Sequence, residues 1–356
     1  MRHLQAAQAD AARQGARRPV VRAELAHTAG DGRGLSFFGW GTVRRGDGAP
    51  AAAARIDDEV LLLGDEVRSL RHLIAQGPER WREERERVYE SRDRVPLEEC
   101  EVLLAVAPRD YVDFYASLEH ATNVGRMFRP DSPLEPNWRH LPVGYHGRAS
   151  GVVVSGTPVV RPSGQLGEGR FAPTEALDYE CELGLVTDRE ARIFGVVLLN
   201  DWSARDIQAW EYRPLGPFLG KAFATSVSPW IVPLEDLSTA RPRPQEPQPL
   251  PYLARARGDA LDVELQVAVN GEVLTRTNAR GLYWTPTQLL AHVTSGGAPV
   301  TAGDLFGTGT ISGAEAGSEG CLLERFRGER WLEDGDEVVL SSPSLGECAA
   351  RVLPAR

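Results

Sequence analysis

Lysine is almost absent from this sequence of 356 residues. Of its 40 basic residues, Lys221 is the one lysine and all the others are arginines. On a solvated surface arginine replaces lysine at little cost, whereas a site that needs a compact ammonium cannot accept the larger, planar guanidinium. Lys221 is therefore either a chance survivor of a compositional bias or a residue that its site requires. Its neighbourhood favours the second interpretation, because it ends the Pro- and Gly-rich run 216–220 downstream of the acidic residues Glu180, Glu182 and Asp201.

Cysteines and long apolar runs are also scarce. The four cysteines are Cys100, Cys181, Cys321 and Cys348. None stands in a Cys-x-x-Cys pair, which argues against a disulfide framework or a zinc site and favours reduced thiols in a cytoplasmic protein. The longest apolar runs, such as 193–199, have the length of a strand and not of a membrane span. Residues 1–33 contain no apolar segment of the secretory-signal type and are predicted to be a disordered extension.

The charge balance limits the partners that the chain can have. The net charge is −10 at pH 7, and there is no basic run of the kind that binds nucleic acid. We therefore expect neither nucleic acid nor a membrane as a partner. An anionic small-molecule substrate would have to be held by a metal ion or a few arginines, because the overall field opposes it.

Short strands separated by Gly and Pro dominate the pattern. Strands are predicted at 36–41, 54–56, 59–65, 102–106, 151–157, 178–187, 193–199, 261–269 and 337–341. Helices are predicted at 81–90 and 285–292, and Asn270-Gly271 has the sequence of a type I′ hairpin turn. The sequence therefore predicts a mainly β fold with few helices. A domain boundary is predicted near residue 107, which gives an N-terminal domain at 34–106 and a larger one at 107–356.

Three acidic residues are spaced like metal ligands. Glu180 and Glu182 flank Cys181 in a predicted strand, so both carboxylates point to the same face. Two like charges side by side on an apolar strand are costly unless a cation joins them. Asp201 follows the next buried strand, and oxygen ligands of this kind suit Mg²⁺, Mn²⁺ or Ca²⁺ better than zinc. The alternative is an exposed strand face that carries two solvated glutamates.

Other polar residues lie near this segment in the sequence. Asp113 and His120 supply a further carboxylate and an imidazole, although a lone histidine is more often structural than catalytic. Arg205 and Gln208 are one helical turn apart and can face one pocket. The Gly- and Thr-rich segment 308–313 predicts a tight loop with hydroxyls and N–H groups that can hold an anion.

Several longer stretches are similar to a known family. They are 113–115 (DFY), 120–125 (HATNVG), 137–150 (NWRHLPVGYHGRAS), 200–206 (NDWSARD), 208–221 (ending in PLGPFLGK), 228–230, 283–285 and 309–313. Together they closely resemble the fumarylacetoacetate hydrolase family, in order, from residue 107 to the end. The resemblance implies a small SH3-like N-terminal barrel, a C-terminal β-roll of the fumarylacetoacetase type and a homodimer.

The resemblance also implies a role for individual residues. The implied metal ligands, for Mg²⁺ or Ca²⁺, are Asp113, Glu180, Glu182 and Asp201, with Thr225 at the site and Lys221 near the metal but not a ligand. The implied catalytic residues are His120 as the general base, Glu324 as the carboxylate that orients it, and Arg205, Gln208 and Lys221 as stabilisers of developing negative charge. The implied substrate contacts are Tyr115, Arg129, Tyr145, Gln208, Tyr212 and Thr310.

The activity that the resemblance implies is hydrolysis of a carbon–carbon bond in 4-fumarylacetoacetate, giving fumarate and acetoacetate in the last step of tyrosine and phenylalanine catabolism. The nearest alternative is a related hydrolase, decarboxylase or isomerase acting on another oxo-dicarboxylate or an acylpyruvate. A catalytically inactive binding protein is a third possibility, which the filled catalytic positions disfavour. Departures from the family pattern lie in residues 1–33 and in shortened loops at 166–176 and 314–320, where they concern substrate fit.

Overall fold

The computed structural model describes residues 36–356, in which strands greatly outnumber helices. The strands are β1 (Phe38–Arg45), β2 (Ala51–Ile56), β3 (Glu59–Leu62), β4 (Val95–Pro96), β5 (Cys100–Leu103), β6 (Tyr111–Phe114), β7 (Gly144–His146), β8 (Val152–Val154), β9 (Val159–Val160), β10 (Ser163–Gly167), β11 (Arg170–Pro173), β12 (Leu177–Asp178), β13 (Cys181–Thr187), β14 (Ile193–Asp201), β15 (Ser203–Ala204), β16 (Thr225–Val227), β17 (Val232–Pro233), β18 (Thr239–Ala240), β19 (Ala260–Leu261), β20 (Glu264–Val269), β21 (Glu272–Asn278), β22 (Asp304–Gly307), β23 (Glu337–Ser342) and β24 (Gly346–Leu353). The α-helices are α1 (Leu70–Gln76), α2 (Pro78–Glu90), α3 (Leu118–Phe128), α4 (Arg205–Glu211), α5 (Leu219–Ala222), α6 (Pro251–Arg255), α7 (Pro286–Ser295) and α8 (Leu322–Phe326). The predicted mainly β class is confirmed. The predicted extension at 1–33 lies outside the described residues.

An antiparallel sheet forms the first part of the described chain. Its strand order is β4-β3-β2-β1-β5, and helices α1 and α2 lie between β3 and β4 in the sequence. The sheet does not stand apart from the rest, because Trp40 and Ile231 exchange two backbone hydrogen bonds of 2.9 and 2.8 Å. Phe38 and Trp40 also share a buried cluster with Phe194 and Leu199 of β14. The division into domains at 34–106 and 107–356 therefore stays a prediction.

The central sheet brings the candidate ligands together. Its strand order is β7-β6-β22-β13-β14-β16-β8, with β17 paired to β14. Strand β22 runs parallel to β6 and antiparallel to β13, and its Gly307 is the register partner of Asp113. In the β13–β14 pair Glu182 lies opposite Leu199, and in the β14–β16 pair Asp201 lies opposite Thr225. Residues far apart in the sequence thus reach the same end of one sheet.

A second five-stranded sheet covers the core. Its order is β21-β20-β23-β24-β9, and β20 and β21 are joined by Asn270 and Gly271. Both turn residues have positive φ, 51° and 83°, as a type I′ turn requires. The side chains of Leu265 and Val267 are 2% and 0% exposed and belong to the largest buried cluster. Burial of each such side chain stabilises the fold by about 1.5–3 kcal/mol, which makes this core a rigid support for the site.

Two local predictions need correction. Asp201, expected to follow the strand at 193–199, is instead the last residue of β14, because that strand continues to pair with β16 as far as Thr225. Glu180 lies in the short gap between β12 and β13, and not inside one continuous strand from residue 178 to 187. The backbone at this gap is held by other bonds, including one from the Asp201 N–H to the Glu180 carbonyl at 3.3 Å.

Candidate metal centre and catalytic pocket

Four carboxylates meet at one end of the central sheet. Asp113 comes from β6, Glu182 from β13 and Asp201 from β14, while Glu180 directly precedes β13. One oxygen of each carboxylate lies within 4.8 Å of the corresponding atoms of the other three. All four residues are buried, with exposed fractions between 0% and 6%. Like charges at this distance in a dry site repel strongly unless cations or hydrogen-bond donors compensate them.

Protein cations compensate one half of this cluster. The buried ammonium of Lys221 hydrogen-bonds to Glu180 and lies 2.7 Å from Asp201 Oδ2. Arg205 Nη1 lies 2.7 Å from the other oxygen of Glu180. Tyr145 Oη lies 2.6 Å from Asp201 Oδ2 and 3.2 Å from Asp113 Oδ2. The only lysine of the chain thus lies inside the acidic cluster.

Neutral donors make further hydrogen bonds to Glu182, Asp113 and Asp201. The backbone N–H of Gly309 donates to Glu182 Oε2 at 2.9 Å and to Asp113 Oδ1 at 3.2 Å. Thr225 Oγ1 donates to Asp201 Oδ1 at 3.2 Å. Gly309 has φ +76°, and an added Cβ would lie 2.2 Å from the carbonyl oxygen of Phe114, so glycine is required where this N–H approaches the acids.

The pKa shifts divide the cluster in the same way. Burial and the neighbouring Asp201 raise the pKa of Asp113 well above its usual range, and burial and Asp113 do the same for the pKa of Glu182. Burial would also raise the pKa of Glu180, but Lys221 and Arg205 outweigh it and hold that pKa below the ordinary value. In the part of the chain that the structure describes, residues 36–356, no basic side chain forms an ion pair with Asp113 or Glu182.

A divalent cation fits this imbalance. Glu182 Oε1 is buried and has no hydrogen-bond partner among the described residues. An orphaned carboxylate oxygen beside three others costs free energy that a bound cation would recover. Because the candidate donors are carboxylate oxygens, they suit a hard divalent ion rather than a thiophilic one. The residues present form a candidate site for a divalent metal.

A histidine and a glutamate form a second buried unit beside the acids. His120 lies in the first turn of α3, where Ser117 caps the helix by accepting the His120 N–H at 3.2 Å. His120 Nδ1 lies 2.6 Å from Glu324 Oε2, and Glu324 belongs to α8. Ser312 and Asn123 donate to the same carboxylate at 2.7 and 3.0 Å. This arrangement fixes the imidazole ring in one orientation.

The ionised state of Glu324 determines how it binds the His120 ring. Burial would raise the pKa of Glu324, but His120 and the two donors keep it below its ordinary value, so the carboxylate is ionised near neutral pH. An ionised carboxylate accepts the N–H of Nδ1, so Nε2 is the ring nitrogen that does not bond to Glu324. His120 lines the adjacent cavity, so this nitrogen is available to a water molecule there.

The cavity has a volume of about 640 Å³ and gathers most of the predicted residues. Its lining includes Asp113, His120, Glu180, Arg205 and Lys221. All six predicted substrate contacts also line it, namely Tyr115, Arg129, Tyr145, Gln208, Tyr212 and Thr310. Glu182, Asp201, Thr225 and Glu324 lie behind the lining. The structure therefore brings every predicted site residue to one place.

Some residues with contacts in this site were missed from the sequence. Asp178 accepts from Arg205 and from backbone N–H groups of α8, while Ser312 and Asn123 hold Glu324. A signal for Asp178 was available, because it stands two positions before Glu180 and four before Glu182. The contacts of Ser312 and Asn123 had no such signal, since their partner is distant in the sequence.

A cavity of this size can hold a small molecule, and its walls carry a candidate base, cations and a candidate metal site. The fold and the site are therefore those of an enzyme with a small-molecule substrate. No helix among residues 36–356 is long and apolar enough to cross a membrane.

Comparisons with known proteins identify the family. The model of the fumarylacetoacetate hydrolase C-terminal domain matches residues 110–353. The chain is 45% identical to a fumarylacetoacetase of Oryza sativa subsp. japonica, over 73% of this chain and 72% of the relative. It is 39% identical to that of Arabidopsis thaliana over 80% and 83%, and 44% identical to that of Homo sapiens over 69% and 70%. The chain belongs to the fumarylacetoacetate hydrolase family.

Solved structures agree with this fold. A fumarylacetoacetate hydrolase from Exiguobacterium antarcticum matches with a TM-score of 0.61 at 20% identity, covering 90% of this chain and all (100%) of that one. A maleylpyruvate hydrolase from Sphingobium matches with a TM-score of 0.58 at 19% identity, covering 88% and 100%. At these identities the likeness concerns the fold alone.

Proposed function

We propose that this chain hydrolyses the carbon–carbon bond of 4-fumarylacetoacetate, releasing fumarate and acetoacetate in the breakdown of tyrosine and phenylalanine. One observation carries the proposal: His120, which pairs with Glu324, lines the same cavity as Asp113 and Glu180 of the four-carboxylate cluster. The reaction requires a base that deprotonates water and a cation that can bind the diketone oxygens. The fumarylacetoacetases that share 39% to 46% of their residues with the chain support the choice of substrate.

The metal is proposed to be Mg²⁺ or Ca²⁺, held by Asp113, Glu180, Glu182 and Asp201. Thr225 and Lys221 would stand beside it, with Lys221 acting as a counter-charge and not as a ligand. When bound, such an ion acts as a Lewis acid that polarises carbonyl oxygen. The support is the all-oxygen donor set and the unpartnered Glu182 Oε1.

His120 is proposed to act as the general base. Its Nε2 accepts a proton from water while Nδ1 keeps its hydrogen bond to Glu324, which stabilises the imidazolium that forms. The resulting hydroxide adds to the carbonyl carbon of the fumaroyl group. The bond to the neighbouring carbon of the acetoacetate part then breaks, and its electron pair stays on that carbon. The proton held by His120 is returned to this leaving group, so that one water is consumed for each bond cleaved.

Arg205, Gln208 and Lys221 are proposed to stabilise the negative charge that develops in this step. Their donors line the cavity, and the two cations are held by ion pairs with Glu180. Fixed donors in a water-poor site need little reorganisation as the charge forms. Removing one such donor typically costs about 2.7–4 kcal/mol of transition-state stabilisation.

Six residues are proposed to contact the substrate: Tyr115, Arg129, Tyr145, Gln208, Tyr212 and Thr310. Two buried atoms support this set, since Thr310 Oγ1 and Arg129 Nε have no hydrogen-bond partner among the residues that the structure describes. A dianionic substrate would satisfy both. Arg129 also lies 3.2 Å from Glu135, which fixes its side chain at the cavity wall.

A direct assay tests the substrate. Purified protein with Mg²⁺ is expected to remove the absorbance of fumarylacetoacetate and to release acetoacetate in equal amount. An acylpyruvate and oxaloacetate, assayed in parallel, are expected to be turned over far more slowly. Turnover of either without loss of fumarylacetoacetate would favour a related activity of the superfamily, and inertness towards all three would favour a binding protein.

We also propose that the chain works as a cytoplasmic homodimer. Four of the largest exposed apolar side chains, Trp210, Leu215, Phe218 and Leu219, lie on or between the neighbouring helices α4 and α5. Such a patch is typical of a surface that a second copy covers. Four free buried cysteines suit a reducing compartment. Light scattering of the purified protein tests the dimer, and a monomer mass at micromolar concentration would contradict it.

A further inference from the structure

Asp178 is a fully buried carboxylate next to the proposed catalytic groups. Its exposed fraction is 0%, and it does not line the cavity, so it cannot touch a substrate there. A buried carboxylate is costly unless its oxygens are well bonded. Its contacts therefore indicate what the fold gains by placing it there.

Backbone donors hold one oxygen of this carboxylate. Asp178 Oδ1 accepts the N–H of Tyr179 and the N–H of Leu322, each at 2.8 Å. Both donor residues are buried: Leu322 is the first residue of α8, and Tyr179 lies between β12 and β13. These bonds fix the position and the rotation of the carboxylate group.

The other oxygen faces Arg205. Asp178 Oδ2 lies 2.9 Å from Arg205 Nε and 2.8 Å from Nη2, and it also accepts the N–H of Leu323 at 3.1 Å. The opposite edge of the same guanidinium, at Nη1, lies 2.7 Å from Glu180. Arg205 is thus held between a carboxylate of the metal cluster and a carboxylate that has no access to the cavity.

We propose that Asp178 is a positioning residue of the reaction, which holds the Arg205 guanidinium where it meets the developing negative charge. Without Asp178, the guanidinium would keep Glu180 as its one carboxylate partner and would turn towards it. The N–H groups of Arg205 would then hydrogen-bond to a carboxylate of the metal cluster and not to the substrate. The inference rests on the proposed function, because it assigns Asp178 a part in that same step.

A double-mutant cycle tests whether Asp178 acts through Arg205. The variants are Asp178→Asn, Arg205→Gln and the double variant, assayed for kcat and KM with fumarylacetoacetate at saturating Mg²⁺. The Asn amide keeps the size of the side chain, but in either orientation its NH₂ group faces N–H donors. Because the positioning effect needs Arg205, we expect the two losses to be non-additive.

The expected pattern is specific. Asp178→Asn is expected to lower kcat by about ten- to a hundredfold with little change in KM, and Arg205→Gln by about a hundred- to a thousandfold. The double variant is expected to stay within about threefold of Arg205→Gln, whereas independent effects would multiply. Multiplying losses would overturn the proposal.

A matched control separates positioning from general loss of a buried charge. Asp188 is 1% exposed, accepts two backbone N–H groups and pairs with Arg192 Nε at 2.7 Å, and it lies at the opposite end of β13. Asp188→Asn is expected to lower the melting temperature about as much as Asp178→Asn, with kcat near that of the wild type. A kcat loss in this control equal to that of Asp178→Asn would contradict a specific role.

A crystal structure of Asp178→Asn gives a readout that needs no turnover. The Arg205 guanidinium is expected to have rotated away from its present position towards Glu180. An unmoved guanidinium would overturn the proposal even if the wild type is active. An inactive wild type would instead refute the proposed function, and the position of Arg205 would still decide the role of Asp178.

Discussion

Replacing Lys221 by arginine is a strong test of this site, because the substitution keeps the charge and changes only its shape. The ammonium hydrogen-bonds to Glu180 and lies 2.7 Å from Asp201, and 4% of the residue is exposed. These contacts use two of its three donors and leave one for the cavity. A guanidinium has a longer reach and a planar fork, so it cannot reproduce these contacts from the same backbone position.

The backbone beside Lys221 cannot retreat to make room. A Cβ added at the preceding Gly220 would lie 2.8 Å from the backbone nitrogen of Gln208 and 2.9 Å from the carbonyl oxygen of Ala204. Helix α5 is therefore pressed against α4, and the longer side chain must extend into the cavity. We expect Lys221→Arg to lose one preorganised donor, which costs about 2.7–4 kcal/mol or about a hundred- to a thousandfold in kcat.

The assay is turnover of fumarylacetoacetate at saturating Mg²⁺, with the melting temperature of each variant measured beside it. We expect a small change in melting temperature, because the cavity can take the added volume. Arg330→Lys is the control for the reverse exchange, since its side chain is 49% exposed and far less constrained. Turnover of Lys221→Arg within a few-fold of the wild type would show that the lysine is a chance survivor.

Four further predictions follow from the same contacts. Exhaustive chelation is expected to abolish turnover, and Glu182→Gln or Asp201→Asn to lose both turnover and Mg²⁺ binding by calorimetry; full activity after chelation would refute the ligand set. His120→Asn is expected to lower kcat by at least about a hundredfold while Mg²⁺ binding is retained; loss of binding would indicate a metal ligand instead. Although burial opposes it, His120 lowers the pKa of Glu324, so ionised Glu324 stabilises the fold above its unfolded pKa of about 4.5, and this contribution is lost as the pH falls. The wild type is therefore expected to melt at a higher temperature than Glu324→Gln at pH 7, and the difference between the two proteins is expected to be smaller at pH 3–4. A difference that does not change with pH would contradict this. Deleting residues 1–30 is expected to leave the melting temperature and kcat nearly unchanged. A large fall in either would show that this segment packs against the rest of the protein.

The sequence predicted two of the four candidate ligands, Glu180 and Glu182, through strand periodicity, and Asp113 and most other site residues through family resemblance. Glu180 and Glu182 could be assigned to one face because side chains alternate along a strand. Asp113 and His120 could be placed beside them only by the resemblance, since the pairing of β6 with β22 joins segments nearly two hundred residues apart. Local patterns carry no information about which distant strand becomes a neighbour.

Strand ends and buried bonds were predicted less well for the same reason. The end of β14 at Asp201 depends on its pairing with Thr225, which the local sequence does not encode. The strand predicted at 261–269 contains β20, where Leu265, Val267 and Val269 alternate along the strand and pack on the core. Prediction thus succeeded where burial repeats regularly and failed where a single tertiary contact decides.

The arrangement of charges indicates where a metal ion would fit beside the protein cations. Lys221 and Arg205 both bind Glu180, and Lys221 also reaches Asp201, so their charge is concentrated on one side of the cluster. Asp113 and Glu182, on the other side, have raised pKa values because burial and neighbouring carboxylates oppose their ionisation. A protein cation on that side would offset part of the remaining negative charge and would compete with a metal ion for the same oxygens. No basic side chain within residues 36–356 forms an ion pair with Asp113 or Glu182, so a divalent cation would recover the most free energy on that side of the cluster.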